Sequence, residues 1–128
     1  MTGYEVGILM TGNAYMKLIN FYERRNIPNR LWLINLTDEK YLLTSGNVYF
    51  HFPYIKWYSG YEEVKLFEEF IESIDEEDYR IIVLPSDAEE YYGELFDEEI
   101  FVCSSLKIDE ESIVEILDDS KYYIFIDL

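Results

Sequence analysis

The chain has 128 residues, of which 49% are hydrophobic and 18% aromatic, and its formal net charge is −17. This composition excludes intrinsic disorder, since enough apolar surface is present to offset the entropy of ordering, and the length predicts one globular domain over residues 1–128. The single cysteine, Cys103, excludes an internal disulfide, and no stretch approaches the about 20 apolar residues of a membrane span. We therefore expect a cytoplasmic protein, in the host cytosol if it is viral, without a membrane partner.

The charge is divided unevenly along the sequence. Residues 1–60 carry six basic and four acidic side chains, whereas the rest of the chain carries four basic and 23 acidic ones. Solubility of a small domain needs a net charge of only about 2 to 8, and a larger charge destabilises the folded state by self-repulsion. The acidic second half therefore predicts a role beyond solubility.

The first half of the chain predicts one helix among several strands. Residues 4–10 read as a strand, and Thr11 opens a turn that caps a helix over about 14–25, whose apolar residues recur at helical spacing. Asn26 and Pro28 end it. Extended segments are then predicted at 31–36, 40–43, 48–52 and 54–58, and the turn after Thr44 indicates an antiparallel hairpin or meander.

The second half predicts alternating helices and strands. Ser59 and Glu62 have the spacing of a capping box for an amphipathic helix to about Asp75, and residues 80–84 form an apolar strand. Further segments follow in order: a short helix from Ser86 to Gly93, a strand over 100–106, a helix over 109–117 and a strand over 122–126. The expected fold class is α+β, α/β-like, with a mixed sheet of about six or seven strands and about four helices packed on it.

The candidate binding residues form two acidic patches. Regularly spaced carboxylates on a rigid helix resemble the phosphates that a basic protein surface neutralises, and tyrosine beside carboxylate suits contact with arginine and lysine. The first patch is predicted at Glu62, Glu69, Glu72, Glu76, Glu77 and Asp78, and the second at Glu89, Glu90, Tyr91, Tyr92 and Glu94.

Catalytic side chains are few. His51 is the only histidine, lies among aromatic residues of a predicted strand, and fits a packed sheet residue better than a general base. Cys103 lies in apolar and acidic surroundings that disfavour its thiolate. Thr11-Gly12-Asn13 precedes a helix but lacks the spacing and the lysine of a phosphate-binding loop, and the acidic clusters lack the register of an EF-hand. We therefore expect no enzyme activity, no cofactor and no metal site.

These observations favour an acidic inhibitor or adaptor that occupies the basic surface of a partner, in the manner of a DNA mimic. The expected partner is a basic protein such as a nucleic-acid-binding protein or a nuclease, and the chain itself is not expected to bind nucleic acid. Phage counter-defence proteins and toxin-immunity proteins are molecules of this kind. Two alternatives stay open: a metal-dependent enzyme or small-ligand domain with converging carboxylates, and a structural subunit that self-associates through its aromatic residues.

Overall fold

A computed structural model describes residues 3–43, 46–84, 90–93, 95 and 113–116. These residues form one antiparallel sheet and two α-helices. The strands are β1 (Tyr4–Met10), β2 (Glu39–Leu43), β3 (Val48–Ile55), β4 (Tyr79–Leu84), β5 (Glu90–Gly93) and β6 (Ile113–Ile116), and the helices are α1 (Gly12–Arg24) and α2 (Glu62–Ile71). The strand order is β5-β4-β1-β3-β2-β6, and every neighbouring pair is antiparallel.

Helix α1 begins and ends at signals that the sequence contains. The Thr11 side chain accepts a hydrogen bond from the backbone N–H of Ala14 at 3.2 Å, which confirms the predicted cap. Asn26 has φ 53°, a left-handed conformation that asparagine tolerates, and it stops the helix just after Arg24 and Arg25. The local sequence is therefore sufficient to place this helix.

The main core lies between the two helices and one face of the sheet. Alternate residues of β1, among them Val6, Ile8 and Met10, are fully buried there with Tyr15 of α1 and Phe67 of α2. This alternation follows from the two-residue period of a strand, which sends successive side chains to opposite faces. A smaller apolar cluster of Leu9, Leu43 and Tyr49 lies on the other face, so part of that face is buried as well.

The expected fold is wrong in its sheet type and in its helices. The sheet is antiparallel throughout rather than mixed. Its fully described part has the four strands β1–β4 rather than six or seven, with the short strands β5 and β6 at its edges, and the described residues contain two α-helices rather than four. The predicted hairpin is present as β2 and β3, but segments 48–52 and 54–58 are not separate strands, because β3 continues through Pro53 to Ile55. The class remains α+β.

Several segments adopt a secondary structure that differs from the predicted one because of tertiary packing. The segment 31–36, predicted as a strand, forms the 3-10 turns Asn29–Leu31 and Leu33–Leu36 because Trp32 stacks on Tyr22 of α1 with ring centroids 4.7 Å apart. Residues 90–93, predicted as the end of a helix, pair with β4, and 113–116, predicted within a helix, pair with β2. The strands predicted at 100–106 and 122–126, and Cys103, lie outside the described residues.

Helix α2 begins later than predicted. Its first residue is Glu62, its cap position is Tyr61, and no side chain caps it, so the predicted capping box at Ser59 is wrong. The hydroxyl of Ser59 instead donates to Oε1 of Glu68 at 2.9 Å. Within the described part of the chain, no helix is long and apolar enough to cross a membrane.

Candidate protein-interaction surface

The first predicted patch lies on α2 and on the 3-10 turn that follows it, Glu76–Asp78. Glu62, Glu69, Glu72, Glu76 and Glu77 are exposed, and Asp78 is half-buried. Glu62 is at the start of α2, where the positive end of the helix dipole stabilises it, and ten residues at about 1.5 Å each separate it from Glu72. The structure therefore groups the patch around the C-terminal end of α2 and leaves Glu62 apart.

We define the acidic end of α2 as Glu68, Glu72, Asp75, Glu76 and Glu77. The last turn of α2 contains no basic residue, so these carboxylates lie at the end of the helix where the dipole is already negative. Helix α1 shows the opposite arrangement, with Arg24 in its last turn. The acidic end thus departs from the usual electrostatic preference of a helix, and such local departures are expected at functional sites.

A pocket of about 320 Å³ opens beside the acidic end, between α2 and strand β4. Its walls come from three separate parts of the sequence: the segment after β3, helix α2 and strand β4. The lining residues are Trp57, Ser59, Phe67, Glu68, Ile71, Glu72, Tyr79 and Ile81. The pocket therefore combines an apolar, aromatic interior with two carboxylates.

Two interactions position side chains that line this pocket. The hydrogen bond from Ser59 to Glu68 holds the Glu68 carboxylate in place, and the ring of Trp57 packs edge-on against that of Phe67 at 6.2 Å between centroids. Burial, and then the negative charge of Glu76, raise the pKa of the Tyr79 hydroxyl. A carboxylate of the acidic end therefore influences the ionisation of a residue that lines the pocket.

The second predicted patch is only partly described. Glu90, Tyr91 and Tyr92 lie in β5, where Tyr92 pairs with Ile81 of the pocket strand, while Glu89 and Glu94 lie outside the described residues. The backbone of β5 therefore runs beside the pocket strand. The helix predicted from Ser86 to Gly93 is therefore wrong for residues 90–93, which form a strand.

A second cleft, with basic residues from α1, lies on the opposite side of α2. This cleft between α1 and α2 is lined by Lys17, Asn20, Phe21, Arg24, Arg25, Phe70, Ser73 and Ile74. Nη1 of Arg25 lies 2.7 Å from Oε1 of Glu69, and its guanidinium carbon lies 4.3 Å from the centre of the Phe21 ring. Helix α2 therefore separates a basic cleft from the acidic pocket, and Glu69 belongs to the basic side.

His51 lies between two carboxylates on the second face of the sheet. Its Nε2 is 2.7 Å from Oε2 of Glu5, and its Nδ1 is 3.2 Å from Oε2 of Glu39. The imidazole stacks beside Tyr49, whose pKa is raised by burial and then by the charges of Glu5 and Glu39. The two carboxylates approach opposite edges of one ring, an arrangement that orients the ring and connects β1, β2 and β3.

Glu68, Trp57 and Tyr79 were not predicted as site residues from the sequence. The four-residue spacing of Glu68 and Glu72 places both carboxylates on one side of a helix and was the available signal. Nor were Glu5 and Glu39, which meet His51 only through strand pairing. Among the described residues, no group of three or more His, Cys, Asp or Glu side chains is arranged to hold a metal ion.

Comparison with known proteins gives no relative: no protein-family model, curated protein sequence or solved structure matches this chain.

Proposed function

We propose that this protein is an acidic binding module that uses the C-terminal end of α2 to occupy a basic surface of a partner protein. The observation that supports the proposal is the acidic end itself, which combines an apolar pocket with carboxylates that are exposed, apart from the half-buried Glu68, and that form no ion pair with another described residue. Apolar burial supplies affinity at protein interfaces, and complementary charge supplies orientation and fast association.

The arrangement of the carboxylates suits a surface that normally contacts nucleic acid. Side chains one helical turn apart, such as Glu68 and Glu72, have Cβ atoms about 5 to 6 Å from each other, comparable with successive phosphates of a nucleic-acid strand. A partner surface rich in lysine and arginine would exchange its nucleic acid for these carboxylates. The role is therefore that of an inhibitor or adaptor for a nucleic-acid-binding protein or nuclease.

The proposal is tested by affinity capture from a nuclease-treated cell extract. The immobilised wild-type chain is compared with Glu72→Gln/Glu76→Gln, which removes two charges from the acidic end, at about 50 mM and about 200 mM salt. We expect the wild type to retain basic proteins at the lower salt, to lose most of them at the higher salt, and to release them when double-stranded DNA is added.

The matched control is Glu23→Gln/Asp38→Asn. Both side chains are exposed and lie outside the acidic end, so the variant changes the net charge by the same amount. The control is expected to retain the wild-type set of partners. Equal losses in both variants would show that net charge alone drives capture, and retention of neutral or acidic proteins without salt dependence would contradict the proposal.

A further inference from the structure

The pocket beside α2 has the composition of a site for one cationic side chain. Trp57 and Tyr79 give it aromatic wall surface, Phe67 lines it but is itself fully buried, and Glu68 and Glu72 place two carboxylates on it. Its volume of about 320 Å³ is at the lower end of the range of about 300 to 1,000 Å³ found for ligand pockets. It therefore has room for one long side chain rather than for an extended ligand.

We infer, on the basis of the proposed function, that this pocket receives an arginine side chain of the basic partner and anchors the complex. A planar guanidinium stacks on aromatic rings and donates paired hydrogen bonds to carboxylates, whereas the ammonium of lysine is compact and strongly hydrated. An arginine in this pocket meets both kinds of group at once. Arginine is also enriched among the side chains that contribute most to interface affinity.

The orientation and the partial burial of the Glu68 carboxylate favour this contact. Its Oε1 accepts a solvent-exposed hydrogen bond from Ser59, which favours one orientation of the side chain before any partner binds. Glu68 is half-buried, so a guanidinium beside it is partly shielded from water and the attraction is screened less than on an open surface. The negative charge at the end of α2 adds to the attraction.

The basic residues of the neighbouring helix do not occupy this pocket. No lysine or arginine is among its described lining residues, and Lys17, Arg24 and Arg25 of α1 line the cleft on the opposite side of α2. Arg25 is engaged there by Glu69. Within the described part of the chain, therefore, no side chain supplies a cation to this pocket, and its charge is complementary to a cation brought by a partner.

The two tryptophans provide a reporter and an internal control for this site. Trp57 lines the pocket, whereas the indole N–H of Trp32 donates to the backbone oxygen of Ile27 at 2.9 Å, and its ring stacks on Tyr22. The full chain, isotope-labelled, is titrated with an oligo-arginine peptide, a matched oligo-lysine peptide and a neutral oligo-citrulline peptide while the two indole N–H signals are recorded by NMR. Trp57→Phe assigns the signals.

We expect the arginine peptide to shift the Trp57 signal and leave that of Trp32 in place, with a smaller shift for lysine and none for citrulline. Glu68→Gln/Glu72→Gln is expected to weaken arginine binding about tenfold, because both carboxylates of the pocket are lost. Glu76→Gln/Glu77→Gln removes the same charge outside the pocket and is expected to weaken it about twofold to threefold. An unchanged Trp32 signal in each variant shows that the fold is retained.

The outcomes separate this inference from the proposed function. Equal weakening in the two double variants, an unchanged Trp57 signal, or equal shifts with arginine and lysine would overturn the arginine pocket while leaving a charge-driven interaction in place. Absence of salt-dependent binding to either cationic peptide would overturn both proposals.

Discussion

Arg25 at the end of α1 and Glu69 on α2 form an ion pair across the helix interface, with 2.7 Å between Nη1 and Oε1. Their side chains are 47% and 49% exposed, so the pair contributes little to stability, about 0 to 1 kcal/mol. Its larger effect is on the surface potential, because it neutralises one of the carboxylates that the sequence assigns to the acidic patch. Glu69 and Glu72 are therefore electrostatically different although they are three residues apart.

This difference predicts unequal effects on partner binding. Glu72→Gln removes a charge beside the pocket that no described residue pairs with, and it is expected to weaken binding of a basic partner or oligo-arginine probe about threefold to fivefold. Glu69→Gln is expected to change it less than about twofold, since Arg25 already balances that charge. Arg25→Gln, which releases Glu69, is expected to strengthen binding slightly. Titration calorimetry at low salt measures all three, and a larger loss for Glu69→Gln than for Glu72→Gln would contradict the assignment.

The Glu5–His51–Glu39 cluster predicts coupled effects on folding stability. The side chain of His51 is only 11% exposed, and His51→Leu leaves two partly buried carboxylates without their common partner, at a cost of about 1 to 3 kcal/mol. Adding Glu5→Gln to His51→Leu is expected to recover part of this loss. Urea unfolding of the two single variants and the double variant measures the coupling free energy, and purely additive effects would show that Glu5 and His51 do not interact.

Stability at alkaline pH is predicted to depend on Tyr49. Its ordinary pKa is 10.0, and burial followed by the charges of Glu5, Glu39 and Tyr41 raises the pKa in the folded state. Above about pH 10 the unfolded chain therefore loses the Tyr49 proton while the folded chain keeps it, so this contribution to stability is complete below that pH and declines above it.

Above about pH 10, ionisation of Tyr49 in the unfolded chain lowers the free energy of unfolding by up to about 1.4 kcal/mol per pH unit. Tyr49→Phe removes this effect, so the slope of unfolding free energy against pH becomes shallower above about pH 10, whatever the stability of the variant at neutral pH. Tyr54→Phe, at a side chain 66% exposed, is the matched control. The slope is measured by urea unfolding at successive pH values, and identical slopes for wild type and Tyr49→Phe would contradict the prediction.

Gly93 is predicted to be required for the edge of the sheet next to the pocket. Its φ is 82°, and an added Cβ would lie 2.2 Å from the backbone oxygen of Tyr79, which also accepts a hydrogen bond from Leu95 N–H. Gly46 has a similar φ of 87° with open space around it, so it isolates the conformational cost. Gly46→Ala is expected to cost about 1 to 2 kcal/mol and Gly93→Ala clearly more. Thermal unfolding of both variants measures the difference. Equal losses of stability would contradict the prediction, because they would show that the β4 backbone at Tyr79 can shift to accommodate the added Cβ.

Elements whose conformation depends on neighbouring residues could be predicted from the sequence. The cap at Thr11 and the apolar periodicity of α1 and α2 involve residues within a few positions of each other, so the two helices and their buried faces were predicted. Residues 31–36 and 90–93 were assigned wrongly because distant residues determine their conformation. Trp32 turns toward Tyr22, and Tyr92 pairs with Ile81 of β4, and neither contact leaves a local pattern in the sequence.

The sequence by itself determined the charge and its division between the two halves, because side-chain ionisation needs no knowledge of the fold. It also determined that α2 would expose carboxylates, since a helix with one apolar stripe must turn its polar side outward. Only the tertiary structure decided that Glu69 is neutralised by Arg25, that His51 lies between Glu5 and Glu39, and that Trp57, Glu68 and Tyr79 form one pocket. These relationships join segments far apart in the chain, and strand pairing and helix packing, which bury apolar surface regardless of sequence separation, bring them together.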